Sequence, residues 1–168
     1  MQFCSTPQCV KKETEQKDIF RVCFVCTGNT CRSPMAAAVA NALARECGKE
    51  TLRAYSAGIA AHEGDPIAEN AVCALRECGV APVSGRSYLE HFAHTLTEEE
   101  AEQFDLLVGM TAGHVLQLLM CYPNAAERIV RMPQEIRDPY GCDVETYIAS
   151  LRSIMEGVRE LLFSENDV

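Results

Sequence analysis

With 168 residues, 48% of them apolar, the chain is long enough for one domain with its own core and too apolar to be read as disordered. Its 15 Lys and Arg against 24 Asp and Glu leave a formal charge of −9, which excludes a surface built to grip nucleic-acid phosphates. No apolar run approaches the roughly 20 residues of a membrane span, so neither nucleic acid nor membrane is expected as a partner.

Residues 1–18 mix charge, Gln and Pro, without the pattern of a signal peptide, and are expected to form a flexible extension or an extra strand. Cys4 and Cys9 within it have no evident purpose. Phe20 to Val25 is a short apolar, β-branched and aromatic run that predicts a buried strand. A polar turn follows, then Ser33-Pro34 opens an Ala-rich helix that Gly48 closes. Leu52 to Ser56 predicts a second strand. Asp65-Pro66 reads as the N-cap and first residue of a helix carrying Ile67, Val72, Leu75 and Cys78, with Gly79 as its stop.

Farther on, Glu98 to Glu100 reads as one solvated helical face. Asp105 to Met110 predicts a third strand, Thr111 a cap for a helix with Val115, Leu116 and Leu119, and Arg128 to Met132 a fourth strand. From Val144 to Phe163 the apolar residues recur with the period of a long final helix. Strands alternating with helices imply a single-domain α/β fold, a parallel sheet covered on both faces. Such folds bind ligands at the carboxyl ends of their strands.

The ten cysteines include several inside apolar patterns (Cys23 in a strand, Cys47, Cys73 and Cys78 in or at the ends of helices), where a free thiol packs as a small hydrophobe. No pair of CxxC motifs exists and the four His lack zinc-finger spacing, so no metal or other cofactor is expected. His91 and His94 read as a solvated pair.

Chemistry concentrates in Cys26-Thr27-Gly28-Asn29-Thr30-Cys31-Arg32-Ser33. Spacing alone does not single it out, since Cys47 also stands six residues before an arginine, Arg53. Context separates the two. Cys47 lies near a helix end with a strand after it, whereas Cys26 ends a strand, precedes a Gly/Asn loop and faces a helix start. Unpaired N–H groups and the positive dipole end at that start favour an anion, and successive loop amides form a nest for phosphate oxygens. Gly28 and Asn29 tolerate the positive φ that such a curl demands. Arg32 suits a bidentate grip on phosphate, the same field favours a thiolate at Cys26, and Ser33 can donate to that thiolate. No Gly-Lys-Ser/Thr follows, so the ATP-binding loop pattern is absent.

A nucleophile of this kind needs an acid for the departing group. Of two Asp-Pro pairs, Asp65-Pro66 is explained by its helix start. Asp138-Pro139-Tyr140-Gly141 sits in a loop, and Pro139 holds Asp138 in an extended conformation. Asp138 is the expected acid.

FVCTGNTCRSPMA resembles the signature of low-molecular-weight protein tyrosine phosphatases, and Asp138-Pro139-Tyr140 their late acid motif. Ser56-Ala57-Gly58 and Asp105 to Thr111 are similar to further family segments, so that the likeness runs from about Phe20 to Phe163. The resemblance implies a phosphatase domain over 19–168, a three-layer α/β/α sandwich on a four-stranded parallel sheet, a phosphocysteine on Cys26, and no metal. It implies that Arg32 binds phosphate and that Asp138 protonates the leaving group and later activates water. Asn29, Ser33 and Ser56 would brace the loop, and Tyr140 would wall the substrate side chain. Cys31 matches a cysteine that can bond to Cys26, capturing its sulfenic acid as a disulfide and protecting it from over-oxidation. Family members acting on tyrosine often carry two aromatic residues after Asp-Pro, where this chain has Tyr140-Gly141.

Thr30 points further. Tyrosine-directed members usually have Ile or Leu there, and the branch acting on phosphoarginine resembles CTGNTCRS. A small hydroxyl side chain shapes a polar pocket for a guanidine, whereas an aliphatic one packs on a phenyl ring. The expectation is therefore a cytoplasmic protein-arginine phosphatase with phosphorylated protein substrates, acting as a monomer. A tyrosine phosphatase is its closest rival. An arsenate reductase relaying oxidation through Cys73 and Cys78, and a non-enzymatic redox or phosphate sensor using Cys26 and Cys31, remain as further readings.

Overall fold

The computed structural model describes residues 18–163, so the extension expected over 1–18 lies, except for Asp18, outside the described residues. In chain order it contains β1 (Phe20–Cys26), α1 (Arg32–Glu46), β2 (Leu52–Gly58), α2 (Glu69–Glu77), α3 (Glu98–Gln103), β3 (Leu106–Gly109), α4 (Ala112–Cys121), β4 (Ile129–Arg131) and α5 (Val144–Leu162). The four strands form the expected parallel sheet, and the structure gives their order as β2-β1-β3-β4.

Period-2 alternation along β1 builds both layers at once. Val22, Phe24 and Cys26 face a core shared with Met35 and Val39 of α1, Leu75 of α2, and Leu151 and Ile154 of α5. Cys23 and Val25 face the opposite core, with Ala101 of α3, Leu107 of β3 and Leu118 of α4. Small Ala side chains let α1 lie deep between sheet and α5. Its one buried amide, Asn41, donates to the carbonyl of Ala54 (2.9 Å) and accepts from its N–H (3.0 Å), satisfying backbone groups on edge strand β2.

Three local expectations change. The helix after Asp65-Pro66 begins only at Glu69 with Ala68 as its N-cap, and Pro66 instead forms an isolated antiparallel bridge with Phe92. An apolar period cannot tell a helix from the loop that leads into it when Ile67 is buried by either route. Glu98 to Glu100 do not form one face, because successive helical residues point about 100° apart. Glu100 turns back to close a capping box with Thr97 and pairs with His94. The Ala-rich helix starts at Arg32, two residues before Pro34, so the loop's arginine is already helical.

β1 has β2 on one side and β3 on the other, so the strand order reverses at its carboxyl end, the position at which this architecture opens a crevice. Cys26 is the last residue of that strand.

Candidate active site

The segment after β1 curls because its backbone is tied on every side. Ile59 N–H donates to the carbonyl of Cys26 (2.9 Å), Ala60 N–H to Thr27 (3.0 Å) and Ala68 N–H to Thr30 (2.9 Å). Gly58 makes the approach possible: a Cβ there would lie 2.6 Å from the Thr27 carbonyl oxygen and 3.2 Å from the Asn29 Cβ. Asn29 supplies the turn with φ of 56°, the left-handed region that Asn tolerates. It is fully buried and fully bonded. Its Nδ2 donates to Ser33 Oγ (2.9 Å) and Ser56 Oγ (3.0 Å), and its Oδ1 accepts from His94 N (3.1 Å). His91 Nε2 lies 2.7 Å from its carbonyl oxygen and donates to it. His91 and His94 are thus braces of the loop rather than a solvated pair, and burial holds the His91 pKa below its ordinary value.

Cys26 is 3% exposed, with Ser33 Oγ 3.0 Å from its sulfur. The single Ser33 proton has two acceptors within reach, that sulfur and the Ala57 carbonyl at 3.3 Å. A thiolate is the nearer and the stronger. Arg32, 6% exposed, donates through Nη1 to the Ile136 carbonyl (3.2 Å) and pairs through Nη2 with Asp138 Oδ2 (3.2 Å). The Asp138 carboxylate also accepts from Tyr140 N–H (3.1 Å), a local turn that fixes it at the rim. A cavity of about 230 Å³ is lined by Cys26 to Arg32 together with Asp138, Tyr140, His62 and Asp65. Ser33 and Ser56 lie behind that lining, bonded to Asn29 as described. A second hollow of about 270 Å³, between α1, β2 and residues 85–94, contains none of Cys26, Arg32 and Asp138. Among the described residues no group of three His, Cys, Asp or Glu is placed to hold a metal ion.

Cys47 and Arg53, the spacing control, end α1 and sit in β2, away from this cavity. Four further residues gather at the site. His62 and Asp65 line the cavity. Tyr147, from α5, places its hydroxyl 3.1 Å from Cys31 Sγ, and burial pushes the Cys31 thiol pKa up. His114, from α4, is 5% exposed and lies 2.9 Å from Thr27 Oγ1 through Nε2 and 2.9 Å from Thr111 Oγ1 through Nδ1. Burial and the neighbouring Arg32 guanidinium lower its pKa to about 4, so its ring is neutral near pH 7. His114 and Tyr147 stand 87 and 116 residues from the loop residues they touch, each alone in a helical pattern where nothing local distinguishes it from a packing residue. Only the Thr111-to-His114 cap spacing carried a signal.

The family model for low molecular weight phosphotyrosine protein phosphatases matches residues 21–167. The chain belongs to that family. This phosphatase is 31% identical over 156 residues to the protein-arginine-phosphatase of Geobacillus stearothermophilus, covering 87% of this chain and 98% of that one. Among solved structures it is similar to the low molecular weight protein tyrosine phosphatase of T. tengcongensis, with a TM-score of 0.77 at 34% identity, covering 85% of this chain and 97% of the other. It is also similar to a cysteine-to-serine mutant of the YwlE arginine phosphatase with a phosphorylated active-site serine, with a TM-score of 0.76 at 29% identity over 84% and 93% of the two chains. The phosphatase is therefore a cysteine-based protein phosphatase, a hydrolase of phosphorylated proteins. Among the described residues no helix is long and apolar enough to cross a membrane.

Proposed function

We propose that the protein removes phosphate from arginine side chains of proteins through a phosphocysteine on Cys26. The observation that carries the reading is the one cavity shared by a buried cysteine, a buried arginine and a rim carboxylate. In the first step the Cys26 thiolate attacks phosphorus and the bond from phosphorus to the guanidine nitrogen breaks. The electron pair stays on nitrogen, which takes its proton from Asp138. Developing charge falls on oxygens held by the loop amides of Thr27 to Ser33 and by the Arg32 fork. In the second step Asp138 takes a proton from water, the hydroxyl attacks phosphorus, and the sulfur leaves as a thiolate bonded to Ser33.

The ion pair between Arg32 and Asp138 fits this sequence. A bound phosphate offers Arg32 a bidentate partner, which frees the Asp138 carboxyl for the leaving group. Thr30 favours arginine: it lines the cavity, and its hydroxyl lies 3.5 Å from Cys31 Sγ, keeping a small polar wall where an Ile would present a branched apolar one. Tyr140, 73% exposed, stands at the rim as the wall for the substrate side chain. The likeness to arginine phosphatases supports the same choice, and that to tyrosine phosphatases keeps phosphotyrosine as the second reading. A reducing cytoplasm suits a thiolate nucleophile, and the scheme calls for no cofactor.

The test is a side-by-side measurement of phosphate release from phosphoarginine and phosphotyrosine peptides. The arginine peptide is expected to react faster, and Thr30→Ile to reverse the order; an unchanged ratio removes Thr30 from the argument. Neither Cys73, exposed on α2, nor Cys78 at its end lines the cavity, which counts against an arsenate-reducing relay. Loss of turnover in Cys26→Ser separates an enzyme from a sensor.

A further inference from the structure

Two carboxylates, and only one of them paired, line the cavity above Cys26. Asp138 is held by Arg32, whereas the Asp65 side chain has no partner among the described residues and is exposed to solvent. Its position is nonetheless built. The loop from β2 to α2 is tied to the phosphate-loop backbone at both ends, at Ala60 and at Ala68. In between, Asp65 donates its N–H to the His62 carbonyl (3.3 Å) and accepts at its own carbonyl from Ala93 N–H (2.7 Å), while Pro66 bridges Phe92. No helix cap is gained, since α2 starts four residues later. A backbone held at these points presents an exposed carboxylate, with no protein partner among the described residues, beside the cavity.

We propose that Asp65 is a specificity-determining residue that selects substrates whose leaving group is cationic. The inference rests on the phosphatase reading of this cavity and deepens its arginine form. Phosphate binds at the floor, against the amides, Arg32 and buried Cys26, so the atoms beyond the scissile bond emerge at the rim, where the carboxylates stand. A guanidinium there faces Asp138 on one side and Asp65 on the other. A phenyl ring carries no charge for Asp65 to attract. His62, on the same loop, also lines the cavity, as do Tyr140 and the small polar Thr30.

The experiment uses the full chain, as wild type and as Asp65→Asn, with four substrates: phosphoarginine and phosphotyrosine peptides, and 4-(aminomethyl)phenyl phosphate beside 4-methylphenyl phosphate. Asp65→Asn is expected to lower kcat/KM for the two cationic substrates about three- to fivefold, the scale of one solvent-exposed charge pair. The loss falls on KM, shrinks as ionic strength rises, and leaves the two neutral leaving groups within about twofold. Equal changes in both members of each pair, or none, overturn the role of Asp65. A wild-type protein slower on phosphoarginine than on phosphotyrosine overturns the arginine reading instead, and the aryl pair still decides whether Asp65 selects for positive charge.

Discussion

His114 Nε2 lies 2.9 Å from Thr27 Oγ1, joining the first residue after the cysteine to a helix 87 positions away in sequence. The two ring nitrogens act together, because a neutral ring donates through one and accepts through the other. Thr111 Oγ1 accepts from the His114 N–H as an N-cap (3.2 Å) and keeps its own proton for Nδ1, which pairs with the tautomer whose Nε2–H donates to Thr27; the opposite tautomer reverses both side-chain bonds. Replacing the ring with Phe keeps its bulk and removes both bonds. His114→Phe is expected to lower kcat/KM about tenfold, while His114→Gln, which keeps a polar donor and acceptor on the side chain, recovers part of the loss; equal losses in the two variants exclude the hydrogen bonds as the cause.

The same residue sets a pH dependence of stability. A His held at about 4 in the folded state and near 6.5 unfolded contributes its full stability above 6.5. Between those values the unfolded chain binds the proton and the folded one does not, so stability falls as the pH drops through about 4. His91, lowered in the same direction, adds to the effect. Thermal melts of the wild type should lose stability on the order of 2–3 kcal/mol from this His between pH 7 and 4. The curve for His114→Phe should be shallower, and parallel curves contradict the assignment.

Gly58 is where the sheet and the phosphate loop touch. An added methyl meets backbone oxygen at 2.6 Å and Ala61 Cβ at 3.0 Å, neither of which is the end of a flexible side chain. Gly58→Ala is expected to cost about 1–3 kcal/mol in denaturant unfolding. It should also weaken competitive inhibition by inorganic phosphate, because relief requires Thr27 to move. Unchanged phosphate inhibition in a folded variant removes that link.

Asp138 is half-exposed, its side chain 55% accessible, so its pairing with Arg32 contributes little to folding. Asp138→Asn should melt within a few degrees of wild type while kcat falls about 10²- to 10⁴-fold. The deficit should be smaller for aryl phosphates with good leaving groups, which need less protonation. A uniform deficit across leaving groups moves the acid elsewhere.

Cys31 is a buried thiol beside Tyr147 and the N-cap residue directly before Arg32. The expected course with peroxide is oxidation of the Cys26 thiolate to a sulfenic acid, from whose sulfur the Cys31 thiol displaces water to form a disulfide. Peroxide inactivation should therefore reverse with added dithiol in the wild type and persist in Cys31→Ser. Full recovery of the serine variant rules out the capture.

Local chemistry along the chain determined the sheet, the loop and the order of Cys26, Arg32 and Asp138, the residues proposed as nucleophile, phosphate ligand and acid. Strand periodicity, Gly and Pro punctuation and the run from Cys26 to Ser33 are all short-range signals that neighbouring residues impose on one another. The braces on that loop are not of this kind. His91, His94 and His114 reach it from 62 to 87 residues away, and Tyr147 from 116, so their roles exist only once the layers close around β1. Asp65 shows the same limit from the other side. Next to a proline and ahead of an apolar period it reads as a helix cap, and only the tertiary path of the loop, pinned to Thr30 and Ala93, turns it toward the cavity. A single residue's bonding partners depend on where distant backbone is held, and no local pattern encodes that.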